Sequence, residues 1–418
     1  MTISTFIPKL SAEQKFMLSV IIVNAGNYLY NLLLGRILGP EMFADAALLI
    51  TFLLVLSFVA MTFQLATAKF SVLFENASFK SFISLIYKYA GITGIVIGAA
   101  MVVFSKQLQA LFNTNTSLMF TIFGLGVPIY FIMSVNRGFY QGTKRFEKLA
   151  WTYQGEMFSR LAITLLLIFM ISNVNSSILV VVGIFASFFF GLLPFKKENF
   201  SLQVKNVLTK NQTSQISKFF VLTAFYELTQ IIINNSDILL VKHYFAEYDA
   251  GLYASLALIG RVVYFVTWMF VMLLLPAVIE KKKLGEATAP ILTKYVGYVV
   301  GLASVVVLGC YLFPELAIHL LFGDAYLSMA PLLWKYAVAT ALFAVSNIFA
   351  YYFLSLDQYM PVVVSGLLGI SQILLIVFFH NSLLEVVIVQ IIAMAILLVI
   401  QLMYFFIKSG DKNTRAKR

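Results

Sequence analysis

Three cations stand inside long apolar runs of this sequence: Arg160, Arg261 and Lys335. Two carboxylates, Glu227 and Asp237, do the same, and Glu156 lies one helical turn before Arg160. A charge within a membrane is costly and faces a cavity or a partner charge. The chemistry these groups suit is binding and movement of a charged cargo. Arg261, Lys335 and Glu227 have no neutralising neighbour in sequence and read as cavity lining. Glu156 and Arg160 are spaced for an i,i+4 ion pair, which suits a structural bridge as well as a binding group. Asn24, Asn27 and Asn31 share one helical face, and Glu227, Gln230, Asn234 and Asp237 form a second stripe at 100° per residue. Such amides either line a cavity or bridge helices. Cys310 is alone, and His243, His319 and His380 match no zinc spacing, so neither a disulfide nor a metal centre is expected.

The elements that position these groups are membrane spans. The 418 residues are 61% hydrophobic and 11% charged, whereas soluble domains average about 45–50% and about 25%. A spanning helix needs about 20 mostly apolar residues. Runs of that kind occupy 17–38, 42–67, 83–104, 118–136, 151–171, 176–195, 216–240, 250–279, 291–313, 328–356, 361–379 and 383–407. They are long and do not alternate, so they predict twelve helices in preference to a barrel. With the N-terminus in the cytoplasm, 23 of the 29 Lys and Arg, Arg137 among them, fall on the cytoplasmic side. Only Arg36, Lys106 and Lys242 fall outside, as the positive-inside rule requires. The net charge of +11 is then a topological signal. A soluble enzyme and a nucleic-acid binder are both disfavoured.

The expected organisation is a cytoplasmic segment 1–16, a six-helix bundle 17–195, a basic linker 196–215, a second bundle 216–407 and a basic cytoplasmic tail 408–418. No connection is long enough for a separate domain, which counts against a polysaccharide polymerase or ligase. The halves also resemble each other. An offset of 206 aligns Leu32–Arg36 with Ile238–Lys242, Asn24 with Gln230 and Asn31 with Asp237, and an offset of 210 aligns Leu111-Phe112 with Leu321-Phe322. Six spans per half make the halves parallel, with a central cavity expected between them.

Four segments resemble the multidrug/oligosaccharidyl-lipid/polysaccharide (MOP) exporter superfamily, in its polysaccharide-flippase branch. Gly35–Phe43 is similar to the G-R-x-L-G-P-x-x-F-G turn, with Ala44 in place of the last glycine. Arg137–Phe146 resembles the cytoplasmic connection after the fourth helix. Asp237–Tyr253 and Leu321–Tyr326 resemble segments around helices seven and eight and ahead of helix ten. The resemblance implies an all-α, V-shaped, MATE-like pair of six-helix bundles working by alternating access. It implies a flippase moving polyprenyl-diphosphate-linked oligosaccharide to the outer leaflet for export of a capsule, O-antigen or other surface polysaccharide.

In such a protein Arg160, Arg261 and Lys335 are the cations suited to the carrier diphosphate, because arginine binds phosphate oxygens bidentately. Asn24, Asn27, Asn31, Gln230 and Asn234 would line the cavity, and Glu227 or Asp237 would bind a coupling proton or sodium ion. Gly35, Arg36, Gly39 and Pro40 would form a structural or gating turn. The expectation is a monomeric, multi-pass, non-enzymatic transporter without cofactor, in a bacterial inner membrane with both termini cytoplasmic. Its partners would be lipids, the lipid-linked saccharide, and the polymerase and glycosyltransferases of the pathway. A multidrug antiporter of the same fold is the alternative, with Glu227 and Asp237 serving cationic drugs.

Overall fold

The computed structural model describes residues 12–171, 173–195, 207–264, 284–356, 358 and 360–415, with isolated positions at 270, 274, 278, 281 and 282. The chain is all-helical, with thirteen α-helices and no strand among the described residues. These are α1 (Ala12–Leu73), α2 (Asn76–Val103), α3 (Ser105–Phe112), α4 (Leu118–Gly142), α5 (Phe146–Met170), α6 (Ser176–Leu192) and α7 (Lys210–Tyr244). They continue as α8 (Glu247–Gly260), α9 (Ala289–Leu312), α10 (Pro314–Leu321), α11 (Ala330–Ser355), α12 (Met360–Phe378) and α13 (Leu383–Arg415). A 3-10 turn, Asp324–Met329, leads into α11.

Every expected span falls on one of these helices or on an arm of one, as far as each is described. Much of the span expected at 250–279, along with 1–11, 196–206 and 416–418 of the expected terminal segments and linker, lies outside the described residues. Among the described residues, eight helices are long and apolar enough to cross a bilayer. The spans at 17–38 and 42–67 count there as one, because they are the two arms of α1. They part at Gly39 (φ 74°, ψ 172°), followed by Pro40. Only glycine takes that φ without strain, and proline, lacking an N–H, opens the next helical arm. The helix α6, with 17 residues, falls below the spanning length, and α5 carries Glu147, Lys148, Glu156 and Arg160. Among the helices that overrun expectation, α7 begins at Lys210 rather than 216, and α13 continues to Arg415.

The surface is apolar where a soluble protein's would be charged. Ile95 and Val96 on α2, Val305 and Leu312 on α9, and Met403 and Phe406 on α13 are all exposed. Buried polar groups include Arg137, Glu156, Arg160, Asp237, Arg261 and Gln390. Helices satisfy their own backbone groups and can present such faces to lipid. This is a multi-pass membrane protein.

The chain divides into two compact units, neither a continuous stretch of sequence. Unit one takes the described residues up to Leu34 and Phe52–Leu228; unit two takes Gly35–Thr51 and the described residues from Thr229 onward. The core of unit one is aromatic. The Phe52 ring meets Phe112 and Phe120 edge-on at 5.4 and 5.7 Å, and the Phe63 ring meets Phe220 at 5.0 Å. In unit two, Ile233 and Phe343 pack with Ala393, Met394 and Leu397.

Hydrogen bonds tie helices and their ends together within each unit. In unit one, the Val207 N–H donates to Ser81 (3.2 Å), Gln64 to Gln141 (2.9 Å), and Asn136 to the carbonyls of Leu192 and Pro194 (both 3.0 Å). In unit two, the break in α1 meets the α10 end and the 3-10 turn. Arg36 donates to the Leu320 carbonyl (3.0 Å) and the Tyr326 hydroxyl donates to the Gly35 carbonyl (2.7 Å).

Candidate functional site

In unit one the fourth and fifth helices place three charges together. Glu156 Oε2 accepts from Arg137 Nη2 at 2.7 Å, and its Oε1 lies 3.5 Å from Arg160 Nη1. The i,i+4 bridge expected between Glu156 and Arg160 therefore forms, as the longer of two contacts. Arg137 also donates through Nε to the Thr152 hydroxyl (3.2 Å) and through Nη2 to the Thr152 carbonyl (2.8 Å). Its guanidinium lies 4.1 Å from the centre of the Tyr153 ring, a geometry that favours a cation. Arg160 Nη2 donates to Asn27 Oδ1 at 2.7 Å, while its buried Nε has no hydrogen-bond partner. Two guanidiniums face one carboxylate, so the cluster keeps a net positive charge.

Unit two holds a neutral counterpart. Asp237 Oδ1 accepts from Arg261 Nη2 at 2.8 Å. Its Oδ2 accepts from the hydroxyls of Tyr336 (2.8 Å) and Tyr253 (3.1 Å), and Tyr253 in turn accepts from Gln390. Arg261 also donates to the Tyr336 oxygen (3.2 Å) and to Asn235 Oδ1 (3.4 Å). Arg261 is therefore not the unpaired cation that its sequence neighbours suggest: its counter-ion lies on the preceding helix. A small cleft beside the pair is bordered by Asn234, Arg261, Tyr336, Thr340, Gln372 and Gln390.

A third arrangement in unit two joins three motifs. Asp45 and Lys242 form an ion pair at 2.9 Å with side chains 1% and 2% exposed. A Cβ on Gly251 would lie 1.8 Å from the Pro40 carbonyl oxygen, and one on Gly35 would lie 2.4 Å from the Phe322 ring. The Gly-Arg turn, the Ala250–Tyr253 segment and the Leu321–Tyr326 segment thus pack as one unit, and the glycines are needed for contact.

The remaining expected residues scatter. Asn31 donates to the Asn27 carbonyl (2.8 Å) and Asn234 to the Gln230 carbonyl (2.8 Å), so both amides bond within their own helices. Gln230 accepts from the Tyr264 hydroxyl at 3.3 Å, and Asn24 is exposed. Glu227 and Lys335 are half-buried, and neither has an ion-pair partner among the described residues. Lys335 does not border the cleft, and its Nζ sits 5.7 Å from the Trp334 ring. Two positions need correction. Arg137 is not a loop charge but 4% exposed in α4, and Lys242 is not an outer loop charge but 2% exposed in α7. Both lie near the end of an apolar run, where sequence does not separate a topological marker from a buried ion.

Sequence reasoning missed Asp45, Asn235, Tyr253, Tyr336 and Gln390 as members of these clusters. The only signal was that Asp45 opens an apolar stretch with no cation three or four residues away.

Comparisons with known proteins agree with this architecture. No curated protein sequence matches the chain. A solved structure described as lipid II flippase MurJ in an inward closed conformation is similar at 13% identity and TM-score 0.73, over 94% of this chain and 87% of that one. An outward-facing multidrug resistance MATE family transporter of the MOP superfamily is similar at 12% identity and TM-score 0.58, over 97% and 98%. A MOP superfamily transporter from Pyrococcus furiosus, described as having a binding pocket of reverse polarity, matches at 12% identity and TM-score 0.56, over 94% and 92%. These likenesses establish a fold of the MurJ and MATE kind. A model of the family described as polysaccharide biosynthesis protein matches residues 33–331, well over half the chain, and on that match the chain belongs to the polysaccharide biosynthesis protein family.

Proposed function

We propose that this protein is a flippase that carries a polyprenyl-diphosphate-linked oligosaccharide from the cytoplasmic to the outer leaflet by alternating access. The observation that carries the reading is the buried Arg137–Glu156–Arg160 cluster, whose charges do not cancel. A diphosphate inside a low-dielectric region needs such an uncompensated cation, and Arg160 keeps an unused N–H. In unit one Arg160 meets the diphosphate; in unit two Lys335 is a second cation on the cargo path, and Arg261 orders that unit through Asp237. Asn27 in unit one, and Gln230 and Asn234 in unit two, are the amides offered to the cargo's sugars. The protein makes and breaks no covalent bond. It acts as a monomer in a bacterial inner membrane, with both termini in the cytoplasm, and hands its cargo to the polymerase of a capsule or O-antigen pathway.

The antiporter reading depended on Glu227 and Asp237 as cavity acids. Asp237 is occupied by Arg261 and two tyrosines, which leaves it poorly placed for a cationic drug. Glu227 is the carboxylate we assign to a coupling proton or sodium ion. Transport in vesicles that persists after both gradients collapse would overturn that assignment.

The deciding experiment removes the gene and follows lipid-linked saccharide. Intermediate accumulating on the inner leaflet is the expected result; accumulation on the outer leaflet, or unchanged polymer export, refutes the flippase. Lys335→Ala is expected to alter folding stability by no more than about 0.5 kcal/mol, as for a residue outside any buried network. Its export rate should nonetheless fall. Wild-type export at normal expression would remove Lys335 from the cargo path.

A further inference from the structure

Glu156 does not treat its two arginines alike. Its Oε2 makes a 2.7 Å hydrogen bond to Arg137, while its Oε1 stays 3.5 Å from Arg160. Arg137 is fixed independently by the Thr152 hydroxyl and carbonyl and by the Tyr153 ring. Its hold on the carboxylate therefore does not depend on Arg160. Arg160, 8% exposed, has one short hydrogen bond, to the neutral Asn27 amide oxygen, and an Nε with no partner. Its guanidinium also lies 5.6 Å from the Tyr30 ring, whose hydroxyl is tied to Thr164 at 3.2 Å.

From this geometry we infer that Arg137 is a positioning residue for anion binding: it draws Glu156 away from Arg160 and so preserves Arg160 as a cation for a phosphate-bearing ligand. Arg137 itself is held by Thr152 and Glu156 through Nε and Nη2 and is not assigned to the ligand. Without it, Glu156 has one cation left within reach. A small χ rotation of either side chain closes the 3.5 Å contact into a direct hydrogen-bonded pair, and the Arg160 charge is cancelled from within. Electrostatic interaction between unit charges at such separations is large in a protein interior, so the carboxylate competes directly with a phosphate. The inference rests on the proposed role of Arg160 in meeting the carrier diphosphate and explains why that role survives an adjacent acid.

The test is binding of inorganic diphosphate to the full-length protein purified in detergent, titrated calorimetrically at fixed pH and ionic strength. Arg137→Gln is expected to weaken binding on the order of tenfold or more, although the residue is not assigned to the ligand. Glu156→Gln should bind as tightly as wild type or tighter, and Arg137→Gln/Glu156→Gln should recover most of the lost affinity. Arg160→Gln should bind weakly with or without Glu156→Gln, and Arg137→Lys should retain binding. Thermal unfolding of each variant accompanies the titration, because a purely structural role for Arg137 predicts that the double variant is no better than the single.

Unchanged affinity in Arg137→Gln, or no recovery in the double variant, overturns the inference. So does an absence of diphosphate binding in the wild type. Polymer export, measured in a deletion strain carrying each variant, reports separately on the flippase reading. The binding pattern without any export defect on deletion leaves this inference standing and refutes the flippase. An export defect without the pattern does the reverse.

Discussion

Lys242→Ala should destabilise the protein by about 3–5 kcal/mol, because it leaves the Asp45 carboxylate without its cation in a site only 1% exposed. Asp45→Ala should cost less, because Lys242 keeps the partly exposed Glu247 carboxylate 4.0 Å away. The desolvation penalty of a buried ion is offset only while its partner is present, so the penalty falls on whichever charge remains. Replacing both residues with apolar side chains of similar volume, Asp45→Leu with Lys242→Met, should cost far less than either single change. Thermal unfolding in detergent checks this, read as the fraction of monodisperse protein remaining after a temperature series. Equal destabilisation by the double and single variants would show that the site is held by packing alone. The surroundings make the ion pair the more persuasive cause. The turn it anchors is already in contact through Pro40 with Gly251, through Gly35 with Phe322 and through Arg36 with the Leu320 carbonyl. The pair fixes which face of the second arm of α1 meets α7.

The spans were legible in the sequence because a bilayer imposes a length and a composition, and each twenty-residue apolar run reports both. The break in α1 was legible too, since Gly39-Pro40 allows few backbone conformations. Arg160 and Glu156 could be paired because helical spacing brings i and i+4 together. What the sequence hid were the partners on other helices. Arg261 looked alone until α7 brought Asp237 to 2.8 Å. Tyr253 and Tyr336, which complete that carboxylate's shell, are two of 21 tyrosines in a chain rich in aromatic residues, and nothing in their spacing sets them apart. Arg137 and Lys242 were misplaced for a different reason. A positive residue at the end of an apolar run satisfies the topology rule whether it faces water or an acid on a neighbouring helix. Only the positions of Glu156 and Asp45 decide between those cases.

The two arginine clusters should respond oppositely to removal of their carboxylates, and this separates packing from cargo binding. Arg261→Gln is expected to abolish export and lower stability by about 3 kcal/mol, since Asp237 keeps its two tyrosine donors but loses its counter-ion in a 2% exposed site. Pairing it with Asp237→Asn removes the orphan charge, while an amide oxygen still accepts from Tyr253 and Tyr336. Stability should return to within about 1–2 kcal/mol of wild type, and a substantial fraction of export should return with it, because the Arg261 charge is neutralised in the intact protein. Arg160→Gln should also lose export, but adding Glu156→Gln should restore nothing, since there the missing charge is the one offered to the cargo. The measurement is surface polymer per cell at matched protein level, alongside thermal unfolding of each purified variant. Export that stays absent in the rescued Arg261 pair would return Arg261 to the cargo path. Recovery in the Arg160 pair would remove Arg160 from it, and with it the central cation of the proposed mechanism.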